Sequence, residues 1–266
     1  LRVSFTGGGT DFKNYYSNNQ GKIISTTINR YIYVTVKEHS KLFNENIRLN
    51  YSLTEVVDDL KEIKNDIARE CLKLLNIQDQ IYISTISDLP SQSGLGSSSS
   101  FAVGLLNALY AYKGVKANPL QLAEDACRVE IDILGHPIGK QDQYAAAFGG
   151  LNLYTFKHDG TVLVDSKYQK SVLQNIFANA LFFCTGKFRS STDVLDEQNR
   201  KTDKNTNSLN VLKKLTETLS NTINENFDIE KFGELLDKSW KVKRGLASKI
   251  SNNEFNVLYD KAMSAG

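Results

Sequence analysis

A run of glycines and serines, PSQSGLGSSSS from Pro90 to Ser100, stands between one apolar stretch that ends at Leu89 and another that begins at Phe101. Small residues at the start of a helix leave backbone N–H groups without partners, and the helix dipole adds partial positive charge there. Such an end binds phosphate. Ser93, Gly94, Leu95, Gly96, Ser97, Ser98 and Ser99 are the residues placed to close round phosphate oxygens. Glycine at 94 and 96 lets backbone approach a ligand, and the serine hydroxyls can cap the helix, bond phosphate or coordinate magnesium. This is no Walker A loop, because no GK[ST] follows the glycines. The alternative is a flexible turn with a serine cap; buried flanks on both sides favour phosphate.

Two carboxylates could serve the same chemistry. In PLQLAEDACRVEIDIL, Ala123, Cys127, Glu130 and Leu134 recur at helical spacing, which puts Glu130 on the inward stripe while Glu124, Arg128 and Asp132 face outward. A buried carboxylate needs a partner. That partner is either an Arg or Lys of the core or a magnesium ion beside nucleotide phosphates. Asp142 follows the glycine and proline loop GHPIGK and opens a short apolar stretch, a place where a group is exposed yet held. It suits a proton acceptor for a hydroxyl or a charge that orients one, and equally a helix N-cap. Lys140 stands two residues away and either polarises the same site or is an ordinary solvated lysine. His136 has no second histidine or cysteine at ligand spacing and reads as a loop residue.

These groups need elements to hold them. RVSFT followed by three glycines reads as a strand entering a tight loop, and Lys22 to Glu38 and 47–52 add further strand-forming runs. Helical spacing of Val56, Leu60, Ile63, Ile67, Cys71, Leu74 and Leu75 predicts a helix from about Glu55 to Leu75. QIYISTISDL returns to strand before the serine run, and FAVGLLNALYAY places Phe101, Leu105, Ala108 and Tyr112 on the stripe of a helix ending near Gly114. Pro119 opens the next helix, expected to reach Leu134. LNLYTF and TVLVD read as a hairpin round Asp159 and Gly160, and ALFFCTG (180–186) as a buried strand. Beyond Ser191 the pattern is helical, with breaks near Asn205 and Asn226.

The 266 residues, 41% hydrophobic, suffice for one large domain or two modest ones, and a cleft favours two. A composition shift near Lys157 to Lys170 sets the expected boundary, giving 1–165 and 166–266. The 32 basic and 30 acidic residues leave a formal +2, so no net field gathers nucleic acid or a membrane surface. Cys71, Cys127 and Cys184 are widely spaced and form no CxxC, which suits a reducing cytoplasm rather than a disulfide framework or structural zinc. No apolar run approaches the roughly 20 residues of a membrane-spanning helix. The chain opens on Leu1 within a strand pattern, with no signal peptide, which is the pattern of a fragment or of the ordered part of a longer protein.

PSQSGLGSSSS matches the P-x-x-x-G-L-G-S-S signature of the GHMP kinases, and the chain resembles that superfamily of galactokinase, homoserine kinase, mevalonate kinase and phosphomevalonate kinase. The resemblance implies a two-domain α+β fold: an N-terminal, ribosomal-protein-like mixed sheet with helices, and a helix-rich C-terminal α/β domain. It implies ATP as co-substrate with Mg2+ held by Ser98 and Glu130, and Asp142 in GKQDQYAAAFGG as the catalytic base, with Lys140 beside it. RVSFTGGGTDF is similar to the first motif of the sugar kinases. By that likeness Arg2 lies beside Asp142 and helps to hold it ionised, and Gly8, Gly9, Thr10 and Asp11 line the sugar site; a turn with an Asx bond is the plain alternative for Thr10 and Asp11.

Glycines replace the Glu-His pair of galactokinases, which disfavours galactose. With GLGSSSSF and TGKFRSS, the triple glycine most resembles bacterial kinases of D-glycero-D-manno-heptose 7-phosphate, which make the 1,7-bisphosphate for surface polysaccharide. A phosphorylated sugar requires a second anion site, for which Arg189 is the first candidate and Lys187 and Arg30 weaker ones, each otherwise a surface salt bridge. The third, C-terminal glycine-rich motif does not appear, which leaves the second domain incomplete at its end. The alternatives are a kinase of another sugar such as fucose, or a catalytically silent sensor of sugar and nucleotide. The expected partners are ATP and a phosphorylated sugar, with no nucleic acid or membrane and a homodimer as an allowed state.

Overall fold

The computed structural model describes residues 1–78, 80–91, 93–183, 185, 191–225 and 227–265, with the backbone alone for 191–193. They fold as two compact units that interleave along the chain. The first takes Leu1–Val3, Thr26–His136 and Lys140–Gly150; the second takes Ser4–Ser25, Pro137–Gly139 and Leu151–Gly266. The sequence reading instead cuts the chain once near residue 165. A composition shift marks one point along the chain, whereas strand pairing joins residues more than a hundred positions apart, such as β2 and β7.

In the first unit, strands β3 (Ile32–Glu38), β4 (Ile47–Asn50), β5 (Thr54–Val57) and β6 (Ile81–Ser87) form a mixed sheet in the order β3-β6-β4-β5. β6 runs antiparallel to β3 and parallel to β4. Helices α2 (Asp66–Leu74), α3 (Ser97–Tyr112), α4 (Pro119–Cys127) and α5 (Gln141–Phe148) cover one face. Ile47, Leu49, Ile81 and Ile83 point into this layer and pack with Ala102, Leu105, Leu106 and Leu109 of α3. Tyr33, Val56 and Ile86 face away and are exposed.

The local sequence shows why these elements stop where they do. The expected long helix from Glu55 is three pieces: β5, a 3-10 turn at Leu60–Glu62, and α2, which Asn65 caps by accepting the Ala68 N–H at 3.0 Å. Antiparallel pairing of β5 with β4 overrides the helical spacing there, and the buried Glu55 accepts the Tyr51 hydroxyl at 2.8 Å and the Asn65 N–H at 2.9 Å. Lys22 to Glu38, read as one run, breaks into two strands in different sheets. Of the stripe assigned to α3 only Leu105 is fully buried; the centre lies at Ala102, Leu106 and Leu109 because β3, α2, α4 and α5 enclose the helix from several sides. α4 begins at Pro119 as expected, capped by Asn118. It then widens into a π-helical segment, Arg128–Ile133, in place of the continued α-helix.

In the second unit, β1 (Arg2–Thr6), β2 (Gly21–Thr27), β7 (Leu151–Phe156) and β8 (Val162–Asp165) form a sheet in that order, β1 and β2 each having residues in both units. Helices α1 (Lys13–Asn19), α6 (Lys170–Ala178), α7 (Ser191–Arg200), α8 (Thr206–Asn224), α9 (Ile229–Lys243) and α10 (Asn253–Ser264) complete it. One core joins Ile24 and Leu151 to Leu219, Ile223, Phe232 and Leu235; another joins Tyr15 to Leu209, Leu212 and Leu246. The hairpin β7–β8 and the C-terminal helices agree with the sequence pattern. The strand expected at 180–186 does not form among its described residues. Leu181, Phe182 and Phe183 are exposed there, since apolar composition supplies no partner strand. Among the described residues, no helix is long and apolar enough to cross a membrane.

Leu106 is fully buried in the first core. Leu106→Ala is expected to cost about 2–5 kcal/mol, the usual range for such a cavity, read as a lower urea midpoint at unchanged slope.

Candidate active site

The loop of the first unit ends at the start of α3, where backbone donors lack helical partners. Gly94 and Gly96 have φ of +76° and +75°, conformations that side chains rarely adopt, and a Cβ on Gly94 would meet nothing within 4 Å. Gly96 occupies the N-cap of α3 with no side-chain capping bond, so none of the serines acts as a plain cap. The first helical bond in the turn is donated by Ser100 N–H to the Gly96 carbonyl at 2.9 Å, leaving the amides of Ser97, Ser98 and Ser99 without helical acceptors. The hydroxyls of Ser93 and Ser100 are buried without a hydrogen-bond partner.

Arg2 ties this loop to a carboxylate 140 residues away. Its Nε and Nη2 donate to the two oxygens of Asp142 at 2.6 and 2.8 Å, and its Nη1 donates to the Gly94 carbonyl at 2.9 Å. The backbone N–H of Arg2 also donates to the Leu95 carbonyl at 3.1 Å. One residue thus fixes the loop by main chain and side chain while holding the carboxylate bidentately. Asp142 lies in the first turn of α5, and its carboxylate faces Arg2 rather than capping the helix. A Cβ on Gly96 would stand 3.2 Å from Asp142 Oδ2, so the loop passes directly against the ion pair. Lys140 occupies the N-cap position of α5 without a side-chain capping bond.

Glu130, in the π-helical segment, is fully buried. The wider turn carries Val129 and Glu130 inward together, while Arg128 and Asp132 stay exposed. Ser98 Oγ donates to Glu130 Oε1 at 2.8 Å and Gln143 Nε2 to Oε2 at 2.7 Å, and the Ser99 hydroxyl adds a third bond. All three donors are neutral, in place of a core Arg or Lys. Burial pushes the Glu130 carboxyl above its ordinary range; the three hydrogen bonds oppose this and the nearby charge of Asp142 adds to it. Gln143, fully buried and next to Asp142, escaped the sequence reading because a glutamine gives no periodic signal of burial. Consecutive residues of α5 therefore serve the two carboxylates, Asp142 as one of them and Gln143 as a donor to the other.

The glycine loop belongs to the second unit. Gly7 and Gly9 have φ of +89° and +103°. Thr10 is fully buried: its hydroxyl donates to the Gly7 carbonyl at 2.9 Å and accepts the Lys22 N–H at 3.0 Å, so it braces the loop from behind. Asp11 accepts the Gly9 N–H at 3.1 Å, and a Cβ on Gly139 would collide with its carboxylate. Gly8, Gly9 and Asp11 thus form one turn. Arg189 and Lys187 lie outside the described residues, Arg30 is exposed and bonded to the Asn29 carbonyl, and His136 sits in its loop 3.6 Å from Asp66.

Residues 59–150 match the family model of the GHMP kinases N terminal domain. The D-glycero-alpha-D-manno-heptose 7-phosphate kinase of Campylobacter jejuni is 28% identical over 100% of this chain and 82% of its own length. A galactokinase of Pyrococcus furiosus is 29% identical over 62% of this chain and 45% of its own. The crystal structure of a D-glycero-D-manno-heptose 1-phosphate kinase from Bacteroides thetaiotaomicron superposes with a TM-score of 0.75 at 24% identity, covering 92% of this chain and 77% of that one. That last likeness is one of fold.

The raised pKa of Glu130 has a consequence for stability. The folded state binds this proton more tightly than the unfolded chain, so ionised Glu130 costs stability once the pH rises through its folded pKa; below the ordinary value of 4.5 the carboxyl is neutral in both states and the cost vanishes. Ligand-free Glu130→Gln is expected to be more stable than the parent at pH 7, with the gain closing below pH 4.5, as denaturant midpoints at the two pH values would record.

Proposed function

We propose, from the premise that this chain belongs to the GHMP kinases and is a sugar kinase, that it transfers the γ-phosphoryl group of ATP to the anomeric hydroxyl of D-glycero-D-manno-heptose 7-phosphate. The product is the 1,7-bisphosphate, on the way to nucleotide-activated heptose for surface polysaccharide. The observation that carries the reading is the Arg2–Asp142 pair set against Gly96. It joins a phosphate-binding helix start to an oriented carboxylate, the two parts that transfer to a hydroxyl requires. The choice of acceptor is supported by a relative, a heptose 7-phosphate kinase, that is 28% identical over the whole of this chain.

Ser97, Ser98 and Ser99 present amides to the ATP phosphates, and the buried hydroxyls of Ser93 and Ser100 supply further donors. The Arg2 guanidinium fixes the plane of the Asp142 carboxylate and leaves lone pairs on both oxygens for a substrate hydroxyl, whose proton Asp142 accepts as phosphoryl transfer proceeds. Lys140 adds positive charge two residues from that carboxylate. Gly8, Gly9 and Asp11 take the sugar, with Asp11 accepting from its hydroxyls.

Ser98 and Glu130 fit a magnesium ion. A buried carboxylate facing only neutral donors lacks a compensating cation, and the exposed Ser98 brings its hydroxyl to the same oxygen. Two protein oxygens are what Mg2+ takes when nucleotide phosphates complete its shell; held by Ser98 and Glu130, it would supply positive charge to those phosphates. Gln143 keeps Glu130 in place for it.

Asp142→Asn is expected to lower kcat with ATP and heptose 7-phosphate by about 10³-fold, within the range for loss of a general base, with binding of a non-hydrolysable ATP analogue kept. Unchanged turnover would remove Asp142 from the role. Arg2→Lys keeps the charge but cannot hold both carboxylate oxygens and the Gly94 carbonyl, so kcat is expected to fall on the order of 10²-fold, as for an ångström-scale misplacement. A panel of ATP with heptose 7-phosphate, free heptose, galactose and fucose, followed by ADP release, tests the acceptor. Faster turnover of fucose or galactose than of heptose 7-phosphate would overturn it.

A further inference from the structure

Each glycine of the loop meets a polar head from a different C-terminal helix, all within the second unit. Thr216 Oγ1 of α8 lies 2.8 Å from where a Cβ on Gly7 would stand, Lys243 Nζ of α9 lies 2.6 Å from that point on Gly8, and Gln198 Nε2 of α7 presses on that of Gly9. Gly7 and Gly9 are also required by their positive φ. Thr216 is buried and donates to the Leu212 carbonyl of its own helix at 2.8 Å, which accounts for it by packing. Gly8 is different. Its backbone has no such conformation, and the space that a side chain would fill is taken by the Lys243 ammonium.

A lysine in the last turn of a helix ordinarily extends its head into water. Lys243 is half-buried and turns that head onto the loop. Ser4 Oγ, buried and without a hydrogen-bond partner, lies 4.0 Å from the same point on Gly8. An ammonium, a buried amide and an orphan hydroxyl therefore gather at one turn, and all three can donate. The ligand that complements three donors, one of them charged, is an acceptor-only anion such as a phosphate monoester.

We propose that Lys243, with Gln198 and Ser4, binds the phosphate group that the acceptor sugar already carries, and so makes the enzyme select a phosphorylated sugar over the free one. The proposal rests on the reading that the acceptor is a sugar phosphate at the Gly8 turn, and adds the residues that recognise its anion. Lys243 acts on binding, at a group remote from the reacting hydroxyl, so its loss is felt in KM for the phosphorylated acceptor.

The test compares kcat/KM for heptose 7-phosphate and for free heptose in the parent protein, Lys243→Gln and Lys243→Glu. The parent is expected to prefer the phosphorylated sugar. In Lys243→Gln that preference is expected to shrink on the order of 10- to 100-fold, the worth of one charge-assisted hydrogen bond, through KM, and further in Lys243→Glu. An unchanged preference in both variants overturns the assignment of Lys243 while leaving the kinase reading intact. An equal fall on both acceptors, or loss of both activities in both variants, also overturns it. A parent with no preference for the phosphorylated sugar sinks the acceptor reading, and this proposal with it.

Discussion

The bidentate ion pair between Arg2 and Asp142 is the contact on which the placing of the first unit's glycine and serine loop depends. It joins the first residue of β1 to the first turn of α5 across 140 residues, and the same guanidinium holds the Gly94 carbonyl. Charged groups bonded bidentately hold one orientation, where a single lysine would pivot. The glycine and serine loop and the carboxylate are consequently not positioned independently. Gly96 completes the arrangement by having no side chain where the pair comes closest.

Glu130 poses the opposite physical problem. Its carboxylate is buried where water cannot reach and meets neutral donors only. Folding tolerates this because the π-helical segment and three hydrogen bonds define the side chain, while burial keeps its charged form unfavourable. The link through Gln143 matters here, since α5 contributes to both carboxylates from adjacent positions, and a shift of that helix turn displaces both.

The second unit solves a packing problem with glycine. Three C-terminal helices bring polar heads against three consecutive residues, and side chains there would hold the helices off. Thr10 and Asp11 lock the turn from inside, through the Gly7 carbonyl and the Gly9 N–H. The loop is thereby held by its own hydrogen bonds with donors close beside it.

Much of this was legible in the residues themselves. The helix start at Ser97, the loop glycines and the inward stripe of Glu130 follow from local spacing, because steric and dipolar rules act over a few residues, while the α+β fold comes from the family resemblance. Where pairing competed with spacing, as at Thr54–Val57, or where composition lacked a partner strand, as at Leu181 to Phe183, the local signal misled. Resemblance could place Arg2 beside Asp142, but only the tertiary structure decided that both oxygens are held, that Glu130 meets neutral donors, and that Gln143 and Lys243 reach the groups they do. Such contacts join residues up to 235 positions apart, from Gly8 to Lys243, and no periodicity links two positions until packing has brought their elements together.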